Sequence, residues 1–382
     1  MTDQADLSPL RQAPIGAAIA KFEELMTQSG PAFLIGAGCS KCAGLPLTLE
    51  LTSGVLSHNK LKSASAEVLR SVQLAFKGAA GANIEDYLSE LIDLISIADR
   101  RSAQGATSTE TSIEGKNYPV GPLKDAVEDI KAAIADLIGA KVSIDTHRRF
   151  VKAVHRPARP GRPGPDLPVD YLVLNYDSLI EDALALERVQ YSDGLEGGGT
   201  GWWSPASFDR PSLAARVLKL HGSISWVELD GDPLPRRLSG SVQLDEGPAG
   251  KIMIWPAATK YRETQRDPYA QLLNRARRTL RPAARMQRVL ISCGYRFADT
   301  HINEEIHASL RESEGRLTLA VFSSEVVPPP AVLAWANDAD LGAQILVFSK
   351  NGFRHGTTQV KSQVDLPWWR FDVLTRLLEG ER

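Results

Sequence analysis

The chain alternates short apolar runs with longer amphipathic stretches, and this alternation predicts strands joined by helices. Each apolar run is mostly bounded by Gly, Pro, Ser or Asp, as is typical of buried strands. The pattern predicts an α/β fold in which helices cover both faces of a mostly parallel sheet. The predicted strands are Ala32–Ile35, Tyr171–Leu174, Val217–Leu220, Ile252–Ile254, Val289–Ser292, Leu317–Phe322 and Ile345–Phe348.

A long stretch between the first two predicted strands indicates an inserted helical module. It spans roughly 135 residues without a convincing strand, far more than a simple crossover needs. Its predicted helices are Asn83–Ala98, which starts with a capping-box pattern, and Leu123–Ile138. Residues 101–121 between them are polar and aperiodic and predict a mobile loop. A linker rich in Pro and Arg, residues 156–168, leads into the second strand, and a helix over Ile15–Met26 precedes the first.

Composition and charge place the chain among ordinary globular proteins. Hydrophobic residues make up 43% and charged residues 24%, and 44 Lys and Arg against 46 Asp and Glu give a net charge of −2. This balance argues against direct nucleic-acid binding over the whole surface, although it does not exclude a local basic patch. Acids and a proline stand where a signal peptide would be basic and then apolar, and no apolar run has membrane-spanning length. We therefore expect a cytoplasmic protein with no membrane association.

The segment PAFLIGAGCSKCAGLP, residues 31–46, carries the strongest local signal for chemistry. An apolar strand runs directly into Gly36, Ala37 and Gly38. Such glycines let a backbone approach a pyrophosphate, and a helix that follows would offer its N-terminal N–H groups. The dehydrogenase fingerprint G-x-G-x-x-G is not completed, because position 41 is Lys. A phosphate-binding turn and an ordinary tight turn both remain open.

Three further predicted strands end in polar residues or glycine. Asn175 and Asp177 follow the second strand, although Asp177 could simply cap the next helix. His221 follows the third strand, where a structural histidine is the alternative to a catalytic one, and Gly294 follows a later strand. Because open α/β sheets bind ligands outside the carboxyl ends of their strands, we expect these four ends to converge on one crevice.

The motifs GAGCS and AGLP, then LNYD, LHGS and SCGYRFAD, occur in an order that resembles the sirtuin-like superfamily. They are most similar to its bacterial branch with the pattern GAG-x-S, NYD-x-x-(I/L)E, LHGS and GYSF-x-D. The resemblance covers about residues 14–325, and NIEDYLSEL at 83–91 is similar to the helical insertion of that branch. It implies a Rossmann-like fold: an NAD-binding domain formed by residues 14–46 and 168–350. Residues 47–167 would be the helical module, and residues 351–382 would pack on the core or at an interface.

The resemblance also implies roles for particular residues. The bond between nicotinamide and ribose would be cleaved, and His221 would act as a base on a ribose hydroxyl or on water. Asn175 and Asp177 would face the nicotinamide and its ribose. The diphosphate would be held by Gly36, Ala37, Gly38 and Ser40, and the adenosine ribose would lie near Gly294 and Tyr295.

Two departures from the protein-deacylating sirtuins bear on whether water or an acyl-lysine peptide replaces nicotinamide. Those proteins bind zinc through two C-x-x-C pairs, whereas this chain has only Cys39, Cys42 and the distant Cys293. We therefore expect no metal and interpret Cys39 and Cys42 as packed residues rather than a redox pair. Leu174 stands where deacylases usually place Gln. Both departures favour an NAD⁺ hydrolase that gives nicotinamide and ADP-ribose. An NAD or ADP-ribose sensor without turnover and an NAD-dependent protein deacylase remain alternatives.

The resembling branch implies a biological role as an antiphage defence effector that depletes NAD. A constitutive NAD hydrolase would poison its own cell, so activity should be gated by assembly. We expect a homo-oligomer, with a ring-forming helicase-like ATPase or a short Argonaute-type protein as a possible partner.

Two further features of the sequence give weaker functional signals. A basic run from Arg275 to Arg288 is typical of a solvated helix face, with a partner or nucleic-acid surface as the alternative. The pairs Trp202-Trp203 and Trp368-Trp369 could belong to the core or to interfaces.

Overall fold

The structure is a computed structural model that describes residues 5–28, 30–79, 81–155, 168–238, 251–254 and 267–381. The predicted linker 156–168 lies outside the described residues except for Pro168. The helices are α1 (Ala13–Gln28), α2 (Thr48–Leu56), α3 (Ser63–Ala75), α4 (Ile84–Ala103), α5 (Val120–Ile138), α6 (Asp145–His155), α7 (Leu179–Leu186), α8 (Tyr269–Leu280), α9 (Thr300–Glu312), α10 (Pro330–Asn337) and α11 (Phe371–Glu379).

Sixteen strands are described, and most of those predicted begin or end within two residues of the expected positions. They are β1 (Gly30–Ile35), β2 (Thr111–Ile113), β3 (Lys116–Tyr118), β4 (Val169–Val173), β5 (Tyr191–Ser192), β6 (Leu195–Glu196), β7 (Gly201–Trp203), β8 (Ala215–Lys219), β9 (Gly222–Leu229), β10 (Asp232–Arg237), β11 (Lys251–Ile254), β12 (Arg288–Cys293), β13 (Leu317–Phe322), β14 (Ile345–Ser349), β15 (Gly352–His355) and β16 (Thr358–Lys361).

The main sheet has nine strands in the order β16-β15-β14-β13-β12-β1-β4-β8-β5. The strands from β14 to β5 run parallel, and β15 and β16 add an antiparallel edge. The chain moves from β1 to β4 on one side and returns later to β12 on the other side. The strand order thus reverses beside β1. The predicted α/β class with a Rossmann-like parallel sheet is confirmed.

Side chains of each central strand alternate between two apolar layers. Phe33 and Ile35 pack in one layer with Tyr171, whereas Leu34 packs in the other with Leu172. This alternation follows from the two-residue period of a strand. It explains why the parallel strands are apolar at consecutive positions: both of their faces are buried.

Between β1 and β4, helices α2 to α5 (residues 48–138, here called the inserted module) pack around one apolar core, which Tyr176 and Ile254 join from outside this segment. The predicted capping box is present, because the Asn83 amide oxygen accepts from an N–H of α4 and the Asp86 carboxylate accepts the N–H of Asn83. The expectation of a strand-free segment with a mobile loop at 101–121 is wrong. Helix α4 extends to Ala103, and β2 and β3 form an antiparallel hairpin.

A second, antiparallel sheet has the order β11-β9-β10-β7-β6. The strand predicted at Ile252–Ile254 belongs to this sheet, where it pairs antiparallel with β9, and not to the parallel sheet. Ile252 and Ile254 pack toward the helical module, whereas Met253 packs in an apolar layer of the main sheet. An apolar run is compatible with either sheet, so periodicity could not distinguish them.

The residues after β14 complete the core. Trp368 is fully buried, and its indole N–H donates to the Ser349 carbonyl at 2.7 Å. Four arginines of the basic run pair with acids on neighbouring elements, but the run is not one solvated helix face, because Arg288 begins β12 and the side chains of Arg275 and Arg288 are only 13% and 12% exposed. These ion pairs are Arg275–Asp209, Arg277–Glu305, Arg281–Glu312 and Arg288–Asp170. None of the described helices is both long enough and apolar enough to cross a membrane.

Candidate functional site

Four parallel strands end level with one another at the carboxyl edge of the sheet. Ile35 of β1 is the register partner of both Val173 of β4 and Cys293 of β12, and Val173 is the partner of Lys219 of β8. The residues that follow these ends therefore emerge side by side. They are Gly36, Asn175, His221 and Gly294, each one or two positions beyond its strand.

A buried chain of hydrogen bonds connects the β1 and β4 ends. The Asn175 amide Nδ2 donates to the Ser40 Oγ at 2.7 Å, and the Ser40 hydroxyl donates to the Asp177 Oδ2 at 2.7 Å. All three side chains are buried. The Asn175 Oδ1 is also buried and accepts no hydrogen bond from any described residue. An unsatisfied buried amide oxygen costs about 1–3 kcal/mol, so this atom is a place where a ligand hydroxyl or water would be stabilised.

Asp177 accepts an N–H at the start of the next helix, as its sequence position suggested, and it also binds Ser40. Its Oδ1 accepts the N–H of Leu179 at 3.1 Å, at the start of α7, and its Oδ2 accepts from Ser40. Both carboxylate oxygens are therefore held by protein donors. The structure makes Asp177 a residue that fixes Ser40 and, through Ser40, the Asn175 amide.

The glycine turn packs directly against the turn after β12. A Cβ on Gly36 would lie 2.3 Å from the Gly294 carbonyl oxygen, and one on Gly38 would lie 2.7 Å from the Gly294 Cα. The N–H of Gly38 donates to the same carbonyl at 3.0 Å. Glycine is thus required here by the close approach of two protein backbones, a reason that the sequence did not reveal. The turn continues as two short 3₁₀ turns, and α2 begins only at Thr48, so the expected helix N-terminus does not follow the glycines directly.

His221 is buried at the end of β8, beside the acid of the GYRFAD motif. Its Nε2 lies 3.8 Å from the Asp299 Oδ1, and its ring centroid lies 6.2 Å from that of His301. Gly222 after it has φ +82°, and a Cβ there would meet the Met253 carbonyl at 2.1 Å. The LHGS glycine is therefore needed for the chain to turn from β8 into β9, which pairs with β11. This turn fixes the His221 imidazole at the edge of the sheet.

Tyr295 braces the loop between β12 and α9. Its hydroxyl donates to the Asn303 Oδ1 at 3.3 Å and accepts the N–H of Asp299 at 3.2 Å. Burial and the nearby Asp299 carboxylate raise the pKa of Tyr295, so its phenol remains a neutral donor. Its loop places it at the same edge as the other predicted site residues.

Lys219 and Glu181 form a buried pair beneath the Asn175–Asp177 turn. Lys219 is fully buried, its Nζ donates to the Asp177 carbonyl, and it lies 3.4 Å from the Glu181 carboxylate. Burial raises the pKa of Glu181 to about 7, against the lowering effect of Lys219. The lysine therefore holds the turn after β4 from the neighbouring strand β8.

Sequence reasoning missed Lys219, Asp299 and the partner role of Ser40. Lys219 and Asp299 belong to the motifs KLHGS and GYRFAD, so an acid or a lysine inside a matched motif was a usable signal. The contact between Ser40 and Asp177 joins positions that are far apart in the chain and had no local signal.

The three cysteines lie behind the glycine turn as free thiols. The Cys39 thiol donates to the Cys293 carbonyl, and burial raises the pKa of Cys39 and that of Cys42, the latter to about 12. Protonated, buried thiols are poor nucleophiles and metal ligands. Among the described residues, no group of three His, Cys, Asp or Glu side chains could hold a metal ion.

A parallel sheet whose order reverses beside a glycine turn, with polar side chains at that point, defines the class of α/β proteins that bind nucleotides at a switch point. Residues 170–340 match the family model of the SIR2-like domain. The match identifies a SIR2-like domain in this part of the chain, and enzymes of that family use NAD. No curated protein matches the chain.

Proposed function

We propose that this protein is an NAD⁺ glycohydrolase. Water would replace nicotinamide at the ribose C1′, so that NAD⁺ and water give nicotinamide, ADP-ribose and a proton. The observation that carries the proposal is the buried Asn175 Oδ1, which accepts no hydrogen bond from the described residues although the Nδ2 of the same amide donates to Ser40. A ribose hydroxyl or a water molecule is the donor that this oxygen would receive.

The chemistry of the bond suits this arrangement. Nicotinamide leaves as a neutral molecule from a cationic ring, so the transition state has oxocarbenium character at the ribose. Such a reaction needs orientation of ribose and water more than a strong acid. Asn175, fixed through Ser40 and Asp177, would orient these groups. The Gly36–Ser40 turn and the neighbouring Gly294 and Tyr295 would hold the diphosphate and the adenosine ribose.

His221 would take the proton from a ribose hydroxyl or from the attacking water. Imidazole is the side chain best suited to accept a proton near neutral pH. The Asp299 carboxylate at 3.8 Å would stabilise the imidazolium that forms. His221 would then release this proton to solvent when the product leaves.

Water is favoured over an acyl-lysine peptide as the acceptor by position 174. The Leu174 side chain is buried and packs in the apolar layer with Leu172 and Leu218. It presents no polar group at the position where deacylating sirtuins usually carry Gln. The protein therefore lacks the Gln side chain that deacylases usually have at this position.

The decisive experiment is incubation of the purified full chain with NAD⁺ and identification of the products by chromatography. We expect nicotinamide and ADP-ribose in equal amounts, at a rate that an acetylated peptide does not change. Binding of NAD⁺ without product would instead identify a sensor, and formation of deacetylated peptide would identify a deacylase. Either result would overturn the proposal.

The cellular role that we propose is NAD depletion in antiphage defence. This role is supported by the ordered motifs shared with the bacterial effector branch. Control by a homo-oligomer, or by a helicase-like ATPase or short Argonaute-type partner, belongs to the same proposal. Light scattering of the active protein, alone and with a candidate partner, tests it, and full activity of an isolated monomer would contradict it.

A further inference from the structure

Tyr176 stands between Asn175 and Asp177, but its side chain does not belong to their hydrogen-bonded chain. It is buried, with 6% exposure, in the apolar core of the inserted module, together with Ile84 and Leu88 of α4. The turn that carries two proposed site residues therefore places its middle side chain in another part of the molecule. The chemistry proposed above assigns Tyr176 no task.

The Tyr176 hydroxyl makes a specific bond inside the module. It donates to the Glu85 Oε1 at 2.6 Å, and Glu85 lies in the first turn of α4. Burial, followed by the charge of Glu85, raises the pKa of Tyr176, so the phenol stays protonated and donates. Hydrogen bonds from a neutral donor to a carboxylate are about twice as strong as those between neutral groups.

The backbone of Tyr176 is held by a different element from the one that its side chain contacts. Its carbonyl accepts the N–H of Ile224 at 3.0 Å and the Ser223 hydroxyl at 3.4 Å, both at the start of β9. The main chain of the turn is thus held by the strand that follows His221, and its side chain is held by the module. A displacement of α4 would pull on the residue that separates Asn175 from Asp177.

We propose that Tyr176 is a positioning residue that locks the Asn175–Asp177 turn onto the inserted helical module through Glu85. The consequence for the reaction rests on the proposed NAD⁺ hydrolysis, whereas the mechanical link between module and turn does not. Loss of the Tyr176–Glu85 bond would leave the sheet intact and loosen the Asn175 amide.

Hydrogen–deuterium exchange on the full chain tests the link without any activity. In Tyr176→Phe, amides of residues 174–178 and of the first turns of α4 should exchange roughly tenfold faster or more, because a hydrogen bond to a charged acceptor is lost. The matched control is Tyr118→Phe, which removes another hydroxyl bond of the module, 2.7 Å to Ser71. It should leave exchange at 174–178 unchanged. Equal exchange at 174–178 in Tyr176→Phe and wild type would overturn the proposal.

Nicotinamide release separates positioning from a charge effect. Tyr176→Phe and Glu85→Ala should lower kcat roughly ten- to a hundredfold with a smaller change in KM, because a misplaced reactant costs about 10². Glu85→Gln keeps an acceptor for the phenol and should retain most of the activity. If Glu85→Gln is as inactive as Glu85→Ala, the carboxylate acts by its charge and the positioning role is wrong. If wild type releases no nicotinamide, the proposed function fails while the exchange result still decides the link.

Discussion

Asn175 and His221 occupy equivalent positions on neighbouring strands, each two residues beyond a strand end. Val173 and Lys219, the last residues of β4 and β8, are register partners, so the amide and the imidazole emerge at the same height of the sheet. This equivalence requires only that β4 and β8 pair parallel and in register, and that each side chain follows its strand by the same number of residues. It places a group that can orient a ribose beside a group that can accept a proton.

The Asn175 amide should be essential for turnover and dispensable for folding. Asn175→Ala should slow nicotinamide release by at least about 10², because the ribose and water lose their orientation. Ser40→Ala should have a smaller effect in the same direction, since Ser40 fixes the amide. Steady-state kinetics and melting temperatures measure both, with the exposed Asn117→Ala of β3 as control. Wild-type rates in Asn175→Ala would remove Asn175 from the site.

His221 and Asp299 should act together. His221→Ala should cost roughly 10²–10⁴ in rate, the usual contribution of a general base. Asp299→Asn should lower the rate less than His221→Ala does. When added to His221→Ala it should lower the rate hardly further, because the Asp299 carboxylate acts through the imidazole. A double-mutant cycle on kcat measures this dependence, with the exposed Asp340→Asn as control. Additive losses would show that Asp299 does not act through His221.

Lys219 should matter first for stability. Lys219→Met leaves the Glu181 carboxylate buried without its cation, which typically costs about 3–5 kcal/mol in free energy of unfolding. The loss should be smaller near about pH 5 than near about pH 8, because protonation neutralises the isolated carboxyl. Glu181→Gln added to Lys219→Met should restore part of the stability in urea unfolding. A loss that the second substitution deepens would contradict the pairing.

His147 should make the fold sensitive to acid. Burial lowers its pKa to about 4, although the charge of Asp177 acts in the opposite direction. The unfolded chain binds a proton below about pH 6.5, which the folded chain takes up only near pH 4, so stability falls as the pH falls through this window. His147→Gln should flatten this part of the curve in urea unfolding at a series of pH values. A difference between variant and wild type that stays constant from pH 7 to pH 4 would refute the assignment.

The sheet could be predicted from sequence because its strands are buried on both faces. Runs such as Leu317–Phe322 are apolar at nearly every position, and the structure confirms that strand without a change of bounds. The β2–β3 hairpin could not be predicted, since its strands have three residues each and include exposed polar positions such as Lys116 and Asn117. Its pairing depends on the turn and on packing of Ile113 and Tyr118 into the module.

The site residues could be named from their motifs, but their connections could not. Nothing local in the sequence indicates that Ser40 accepts from Asn175 and donates to Asp177, since these contacts form only when β1 and β4 pair. The link between Tyr176 and Glu85 has the same origin, because it joins the sheet to the inserted module. Long-range polar contacts of this kind are products of the fold.

The contact between Gly36 and Gly294 sets main chain against main chain at the carboxyl edge of the sheet. The distance between the two backbones is set by peptide geometry, and no side-chain rotamer change can alter it. Alanine at either glycine would act as a wedge between two strands, and its first effect would be on assembly of the sheet.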